Sequence, residues 1–225
     1  MLSGRVASLQ TGTPAPMPWR GRTTRSAIFK RPVDGPLRLG AGGFEGDEQA
    51  DLTVHGGPDK AACAYPVEHV PRWERLLGSE LPRGAFGENL SVEGLLENDV
   101  HVGDVFTVGT ATVQVSQPRG PCFKLAARWQ RRDLPARMAS ERISGWYFRV
   151  LEEGVVRAGD GLRLIDRLSD VSIGEVMRVT YAERDDGEGL ARVLAVPELA
   201  AQWRDVLVTL ARRAELPVRD FGTGV

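Results

Sequence analysis

The 225-residue sequence has few cysteines, histidines and lysines, no surplus charge of either sign and no long apolar run. Two cysteines are too few for a disulfide scaffold, and with three histidines and no paired-ligand motif they do not predict a zinc site. Twenty-nine Lys and Arg against 30 Asp and Glu give a net charge of −1, so no basic field points to nucleic acid. No apolar run approaches the ~18 residues of a membrane span, and the first ten residues lack a signal-peptide core. We therefore expect a soluble, cytoplasmic protein that binds neither nucleic acid nor membrane.

The first part of the chain has the texture of a β-protein. Short alternating runs are broken by Gly or Pro about every ten residues, a spacing typical of a barrel or sandwich. Predicted strands cover residues 5–9, 26–30, 37–39, 61–65, 105–108, 111–116, 147–151 and 163–165. Helical spacing of apolar residues interrupts these strands at residues 66–77 and 122–132.

The end of the chain predicts three short helices. Ser172 and Glu175 form a capping box before the first, residues 190–196 and 198–213 form the next two, and residues 185–189 form a linker. Three short helices bury little apolar surface alone, so we expect them to pack on the first domain or on a second copy of the chain. The prediction is a mainly β (α+β) protein, with a β-barrel domain over residues 1–166, short helical insertions, and a three-helix domain over residues 170–216.

The segment Ser-Gln-Pro-Arg-Gly-Pro-Cys-Phe-Lys at residues 116–124 carries the strongest chemical signal. Its prolines stiffen the loop, and Arg119 and Lys124 are expected to lower the pKa of the Cys122 thiol. A thiolate can act as a nucleophile or as a ligand for a soft metal. A lone cysteine is more often a small buried hydrophobe, but the rigid loop and its cations favour chemistry here. Cys63 lies in an apolar strand, and we interpret it as a core residue.

A Gly-Gly turn offers a second candidate. Gly56 and Gly57 allow close approach to the backbone, whose N–H groups could cradle an anion together with His55 and Lys60. The alternative is a structural Gly-Gly-Pro turn in which the histidine caps neighbouring carbonyls.

Residues 86–89 form a third candidate, because Glu88 and Asn89 could fix the edge of a heterocycle through paired donors and acceptors. The spacing alone favours a structural loop.

The lysines give a further signal from composition, since the sequence contains 26 arginines but only three lysines, Lys30, Lys60 and Lys124. Each lysine falls in a chemically suggestive segment, where a compact ammonium suits a confined site.

Together these segments resemble the MOSC family, the domain named for the C-terminus of molybdenum-cofactor sulfurase. The matching segments are residues 26–33, 46–51, 55–60, 64–66, 86–90, 116–125 and 145–151. Residues 193–204 resemble the three-helix domain that follows MOSC in the bacterial YiiM-type branch.

The resemblance implies a β-barrel that binds the molybdenum cofactor, a pterin dithiolene that carries molybdenum and a phosphate. On the matching loop, Cys122 would be the molybdenum ligand and the catalytic residue. The phosphate would be bound by cations and N–H donors from Lys30, His55, Gly56, Gly57, Lys60 and Arg119. The pterin edge would be contacted by Glu88, Asn89 and Gln117.

The activity implied by the resemblance is reduction of N-hydroxylated compounds, such as 6-hydroxylaminopurine-type bases, to amines. Two electrons must be supplied, and two cysteines cannot hold a four-cysteine iron–sulfur cluster, while no flavin or haem motif occurs. We therefore expect an external donor of the flavin reductase or ferredoxin type. Two alternatives stay open, a sulfur carrier that uses a Cys122 persulfide and a non-catalytic binder of the cofactor. A homodimer through the C-terminal helices is also compatible with the sequence.

Overall fold

The computed structural model describes residues 2–214, except for the side chains of Thr53 and Val54. Residue 1 and the last two residues of the predicted three-helix domain, 215 and 216, lie outside the described residues. The strands are β1 (Ser3–Thr11), β2 (Ala15–Trp19), β3 (Arg22–Ser26), β4 (Arg31–Pro32), β5 (Leu37–Gly40), β6 (Gly43–Phe44), β7 (Ala62–Pro66), β8 (Leu90–Glu93), β9 (Val105–Val108), β10 (Ala111–Pro118), β11 (Trp146–Glu152), β12 (Gly154–Val156) and β13 (Gly161–Asp166). The α-helices are α1 (Leu52–His55), α2 (Val70–Leu77), α3 (Phe123–Trp129), α4 (Leu134–Glu141), α5 (Ile173–Met177), α6 (Gly187–Leu194) and α7 (Ala201–Arg213).

Seven strands close into a barrel in the order β1-β8-β7-β11-β10-β9-β13, and β13 pairs again with β1. Closure is antiparallel, with Ser3 opposite Arg163 and Gly4 opposite Leu162. The pair β7–β8 is parallel, whereas the other neighbours in the ring are antiparallel. A closed ring leaves these strands without free edges. The predicted β-barrel is confirmed.

Strand alternation gives one wall of the barrel two different faces. Ala64, Trp146 and Phe148 belong to the barrel core. Cys63 and Tyr147, which stand opposite each other in the β7–β11 register, point to the other side of the wall. A second apolar cluster covers part of that outer side. Its residues are buried and come mostly from the helical insertions and their loops. They include Met17, Ile28, Tyr65, Trp73, Phe86, Leu125, Leu134 and Met138.

The C-terminal helices share the barrel's own hydrophobic core. Val176, Leu190 and Leu207 cluster with Val102 and Phe106 of the barrel. The predicted cap on α5 is confirmed, because the Ser172 side chain accepts a hydrogen bond from the Glu175 amide at 3.1 Å. The expected packing of these helices on the first domain is therefore what the structure shows.

One local prediction was wrong and one was partly right. Residues 26–30 are not a strand, because β3 ends at Ser26 and the Ile28 amide bonds to the Ser26 hydroxyl at 3.2 Å instead of to a neighbouring strand. Residues 185 and 186 do connect two helices, but the predicted linker ends earlier than residue 189, because α6 begins at Gly187, with Asp186 accepting a hydrogen bond from the Gly189 amide at 2.9 Å. Within residues 2–214, no helix is both long and apolar enough to cross a bilayer.

A mutation in α7 tests whether the helices and the barrel unfold together. Leu207 is completely buried in the shared core, so Leu207→Ala is expected to lower the free energy of unfolding by about 2–5 kcal/mol in one transition. Val206→Ala, on the exposed side of the same helix, should change it by less than about 0.5 kcal/mol. Urea denaturation followed by circular dichroism and tryptophan fluorescence measures both; two separate transitions would contradict the shared core.

Candidate functional site

A cleft of about 630 Å³ lies on the outer face of the barrel wall, where Cys63 and Tyr147 emerge. Loops that follow β3, β6, α1 and β10 surround it. Six of the predicted site residues line the cleft: Lys30, His55, Lys60, Asn89, Arg119 and Cys122. The fold thus gathers residues from distant segments at one place outside the barrel core.

Cys122 sits in a loop that is fixed at Arg119 and ends at the start of α3. The Arg119 amide donates to the Gly145 carbonyl at 3.0 Å, and the Ser144 hydroxyl donates to the Arg119 carbonyl; at the other end, the Leu125 amide donates to the Cys122 carbonyl at 3.1 Å. Cys122 is the residue before α3, and its side chain is half-buried in the cleft wall. Its sulfur is therefore both fixed in place and accessible to a ligand.

Cys63 also faces the cleft. It is buried, as predicted, but it points away from the barrel core and lines the cleft floor. Burial raises the pKa of its thiol to about 11, so it stays protonated at neutral pH. Cys122 is consequently the better candidate for a reactive thiolate.

Arg119 places a buried cation beside the two cysteines. Its Nη2 donates to the Phe86 carbonyl, but Nη1 is buried with no hydrogen-bond partner in the described part of the chain. Burial disfavours the charge, yet the nearby Cys63, Tyr147 and Cys122 groups raise the pKa of Arg119. A buried guanidinium N–H without an acceptor costs free energy, and an anionic ligand would satisfy it.

Lysines add to this positive field. Lys30, Lys60 and Lys124 all line the cleft, and Lys30 forms an ion pair with the buried Asp47. Lys60 donates to Gln202 of α7, and desolvation lowers the pKa of its ammonium.

His55 lies close to these cations, and the pKa of its imidazole is lowered. Burial is the largest cause and the charges of Lys124, Lys60 and Arg119 follow; together they lower the pKa from 6.5 to about 4. The ring is therefore neutral at physiological pH and can both donate and accept a hydrogen bond.

Asn89 lines the cleft, but its side chain makes hydrogen bonds that connect three other segments of the protein. Its Oδ1 accepts from the Cys63 amide at 3.1 Å, and its Nδ2 donates to Asp47 at 2.9 Å and to the Gln10 carbonyl at 3.3 Å. Both amide protons are used, so only acceptor capacity is left for a ligand.

Glu88, which was predicted to contact a cofactor, does not line this cleft. The carboxylate is buried and turned inward, where it accepts from the Gly84 amide (2.9 Å), the Phe86 amide (3.0 Å) and the Ser91 hydroxyl (3.0 Å). It shapes the loop that presents Asn89 and the Phe86 carbonyl.

Gln117, Gly56 and Gly57 also lie outside the cleft lining. Gln117 is buried, its Nε2 donates to the Pro118 carbonyl at 3.2 Å, and its Oε1 has no partner among the described residues. At Gly56 a Cβ atom would come within 2.8 Å of Leu52, and Gly57 has φ 97°, so both glycines serve the turn itself. The structural alternative for the Gly-Gly turn accounts for them.

Tyr147 and Asp47 are cleft residues that the sequence-based list of site residues lacked. Tyr147 lies beside the Arg119 guanidinium, and burial raises the pKa of its hydroxyl, which keeps the proton. In the sheet it stands between Cys63 on β7 and Gln117 on β10, two residues that the sequence analysis had singled out, and this pairing is the signal that could have found it. Asp47 carries no comparable local signal, since its role depends on Lys30 and Asn89 folding onto it.

Comparisons with known proteins find matches to both parts of the chain. Residues 51–163 match the model of the MOSC domain, and residues 171–210 match that of the YiiM-like, 3-alpha helix domain. The chain is 40% identical to Protein YiiM of Escherichia coli K12 over 87% of its own length and 88% of that protein. A crystal structure of YiiM from Geobacillus stearothermophilus superposes with a TM-score of 0.78 at 39% identity, over 92% of this chain and 98% of that one. A Gibberella moniliformis protein named Reductase is 34% identical over 79% of this chain, which spans 32% of that protein.

The pH dependence of stability tests the environment of His55. Because its pKa is about 4 in the folded protein and 6.5 as the ordinary value, the unfolded chain binds more protons between these limits, and stability falls as the pH falls through this window. His55→Gln is expected to lose less stability than the wild type between pH 6.5 and pH 4, as measured by urea unfolding. His101→Gln, a histidine change outside the cleft, is the control. Equal losses in the wild type and His55→Gln would show that His55 is not held neutral.

Proposed function

The chain belongs to the MOSC family, whose domain is associated with the molybdenum cofactor, and we propose that it binds this cofactor in the outer cleft and reduces N-hydroxylated compounds to amines. The name Reductase, carried by one relative, supports the redox part of the proposal. Bases of the 6-hydroxylaminopurine type are the proposed substrates.

The observation that carries the proposal is the buried Arg119 Nη1, which finds no acceptor within residues 2–214 and lies in a cleft lined by three lysines. The molybdenum cofactor brings a phosphate and a dithiolene, both anionic, and these suit Arg119, Lys30, Lys60 and Lys124. Molybdenum prefers sulfur ligands, and Cys122 is the accessible thiol.

The remaining donor set also fits a cofactor that brings its own ligands. Among the described side chains, no group of three or more His, Cys, Asp or Glu could hold a metal ion. A metal bound in this cleft with Cys122 as its protein ligand would need further ligands from the bound molecule itself.

The reaction consumes two electrons and two protons, since R–NHOH yields R–NH₂ and water. When bound, the cofactor supplies a two-electron metal centre that can take an oxygen atom from the N–OH group. Cys122 Sγ would bind that centre, and Arg119 would hold the cofactor against the barrel wall. Tyr147 keeps its hydroxyl proton and can donate a hydrogen bond into the cleft. His55, neutral above about pH 4, can orient the substrate without repelling its own cationic neighbours.

Replacing Cys122 tests the ligand assignment. The wild type, produced in a host that makes the cofactor, is expected to carry molybdenum by elemental analysis, and protein from a host that cannot make it should carry none. Cys122→Ala should keep its fold but lose the metal and the activity, because the accessible protein sulfur is gone. Cys63→Ala is the matched control and should retain molybdenum. An unchanged metal content in Cys122→Ala would refute the assignment.

The same preparations distinguish the sulfur-carrier alternative. Protein without molybdenum that releases sulfur from Cys122 on treatment with cyanide would indicate a persulfide carrier. Molybdenum-loaded protein that reduces no N-hydroxylated compound with any donor would indicate a cofactor binder.

A reconstitution assay tests the proposed electron donor of the flavin reductase or ferredoxin type. The loaded protein with NADH alone should form no amine, because the sequence carries no flavin, haem or four-cysteine motif to receive the electrons. Adding a flavin reductase or a reduced ferredoxin should start turnover, followed by chromatography of the amine product. Full activity with NADH and no second protein would contradict the prediction, and reductase without this chain is the control.

A further inference from the structure

The start of α7 is attached to two cleft-forming segments at once. The Ala200 amide donates to the Ser116 carbonyl at 3.0 Å, and the Ser116 hydroxyl donates to the Asp59 carbonyl at 2.6 Å. Arg149 repeats the connection, because its Nη2 donates to the Glu198 carbonyl at 2.9 Å while its Nε pairs with Asp59 at 2.8 Å. Residues 198–200 thus fix the turn before Lys60 relative to the strand end that leads to Cys122.

The next residues of α7 reach the cleft side chains themselves. Gln202 Oε1 accepts a hydrogen bond from Lys60 Nζ, across 142 positions of sequence. Lys60 is half-buried, so this amide oxygen meets an ammonium that has already lost part of its hydration. The contact fixes where the Lys60 charge stands at the cleft edge.

Two aromatic side chains support the cysteine loop from the same side. A Cβ atom on Gly120 would lie 3.5 Å from the Trp203 ring and 3.6 Å from the Tyr181 hydroxyl, which is ordinary van der Waals distance. The two rings meet edge to face, with centroids 6.5 Å apart. Cys122 is close enough to raise the pKa of Tyr181, after burial. Both side chains therefore lie beside Gly120 of the cysteine loop, at a distance that leaves room for about one methyl group.

We propose that the C-terminal helices are a positioning element of the cleft: Gln202 orients Lys60, and Tyr181 with Trp203 supports the loop that carries Cys122. In this proposal the three-helix domain fixes the positions of cleft residues through contacts within one chain, and its role is not limited to a contact between two copies of the chain. The inference depends on the proposed function only for the identity of the ligand that the cleft binds, and its test uses cofactor-free protein.

The three lysines make the first half of the test unusually direct. Reductive methylation with ¹³C-formaldehyde gives one dimethylamine NMR signal for each of Lys30, Lys60 and Lys124 and one for the N-terminal amine, and a pH titration of each signal gives the pKa of that amine. Gln202→Leu removes the acceptor and should lower the pKa of Lys60. Gln202→Glu adds a negative charge at the same place and should raise it. Asp205→Asn, an exposed change on the same helix, should leave the signal of Lys60 where it is.

The second half measures the loop. Trp203→Phe removes part of the aromatic support, and Tyr181→Phe removes only the hydroxyl. Trp203→Phe should increase the alkylation rate of Cys122 by iodoacetamide several-fold, read by peptide mass spectrometry, with buried Cys63 as the slow internal control. Tyr181→Phe keeps the ring and should increase that rate less than Trp203→Phe does, without changing the unfolding midpoint.

Opposite shifts of the Lys60 pKa in the two Gln202 variants, together with altered Cys122 alkylation, would establish the positioning role even if the protein never took up molybdenum. An unmoved Lys60 titration, or a Cys122 rate equal to wild type in both aromatic variants, would overturn it. Protein that loads molybdenum fully with these readouts unmoved would leave the proposed function intact and refute this inference alone.

Discussion

The register of β7 against β11 is the constraint on which the rest of the site depends. These strands put Ala64, Trp146 and Phe148 into the barrel core and leave Cys63 and Tyr147 for the cleft. A slip of one residue would turn residues from the cleft face into the barrel core and core residues to the cleft, so the apolar core determines which side chains the cleft receives. The Asn89 side chain restrains the other edge of β7, next to β8, since its oxygen accepts from the Cys63 amide.

The cations of the cleft differ in how well nearby acceptors neutralise them, and this difference supports the proposal of an anionic ligand. Lys30 faces Asp47, whose carboxylate also accepts from the Gly12 amide at 2.8 Å and from Asn89. Arg119 donates to the Phe86 carbonyl, but its buried Nη1 has no acceptor among the described residues. Buried charge without a partner costs free energy, so an anion that binds at Arg119 stabilises the folded protein as it binds.

Local patterns in the sequence predicted the structural features that are determined by residues close together along the chain. Alternation and Gly/Pro spacing predicted the barrel, Ser172 predicted the start of α5, and the 116–124 segment predicted that Arg119 and Cys122 share a site. The direction of the Glu88 carboxylate could not be predicted this way, because the turn it closes at Gly84 becomes visible only when the loop folds around it. The short strand expected at 26–30 failed for a similar reason, since a side-chain contact within the loop replaced the ladder.

The boundary near residue 166 separates a β-type sequence pattern from a helical one, but the two parts do not fold as independent structures. Val102 and Val176 lie in one hydrophobic core, and a backbone hydrogen bond joins Ala200 to Ser116. Packed interiors transmit small displacements because they contain few voids, so a change within the helices reaches the cysteine loop without any large movement. The cleft is therefore a property of the whole described chain: the barrel supplies its floor and its cations, and the helices fix where the Lys60 charge and the Cys122 loop stand.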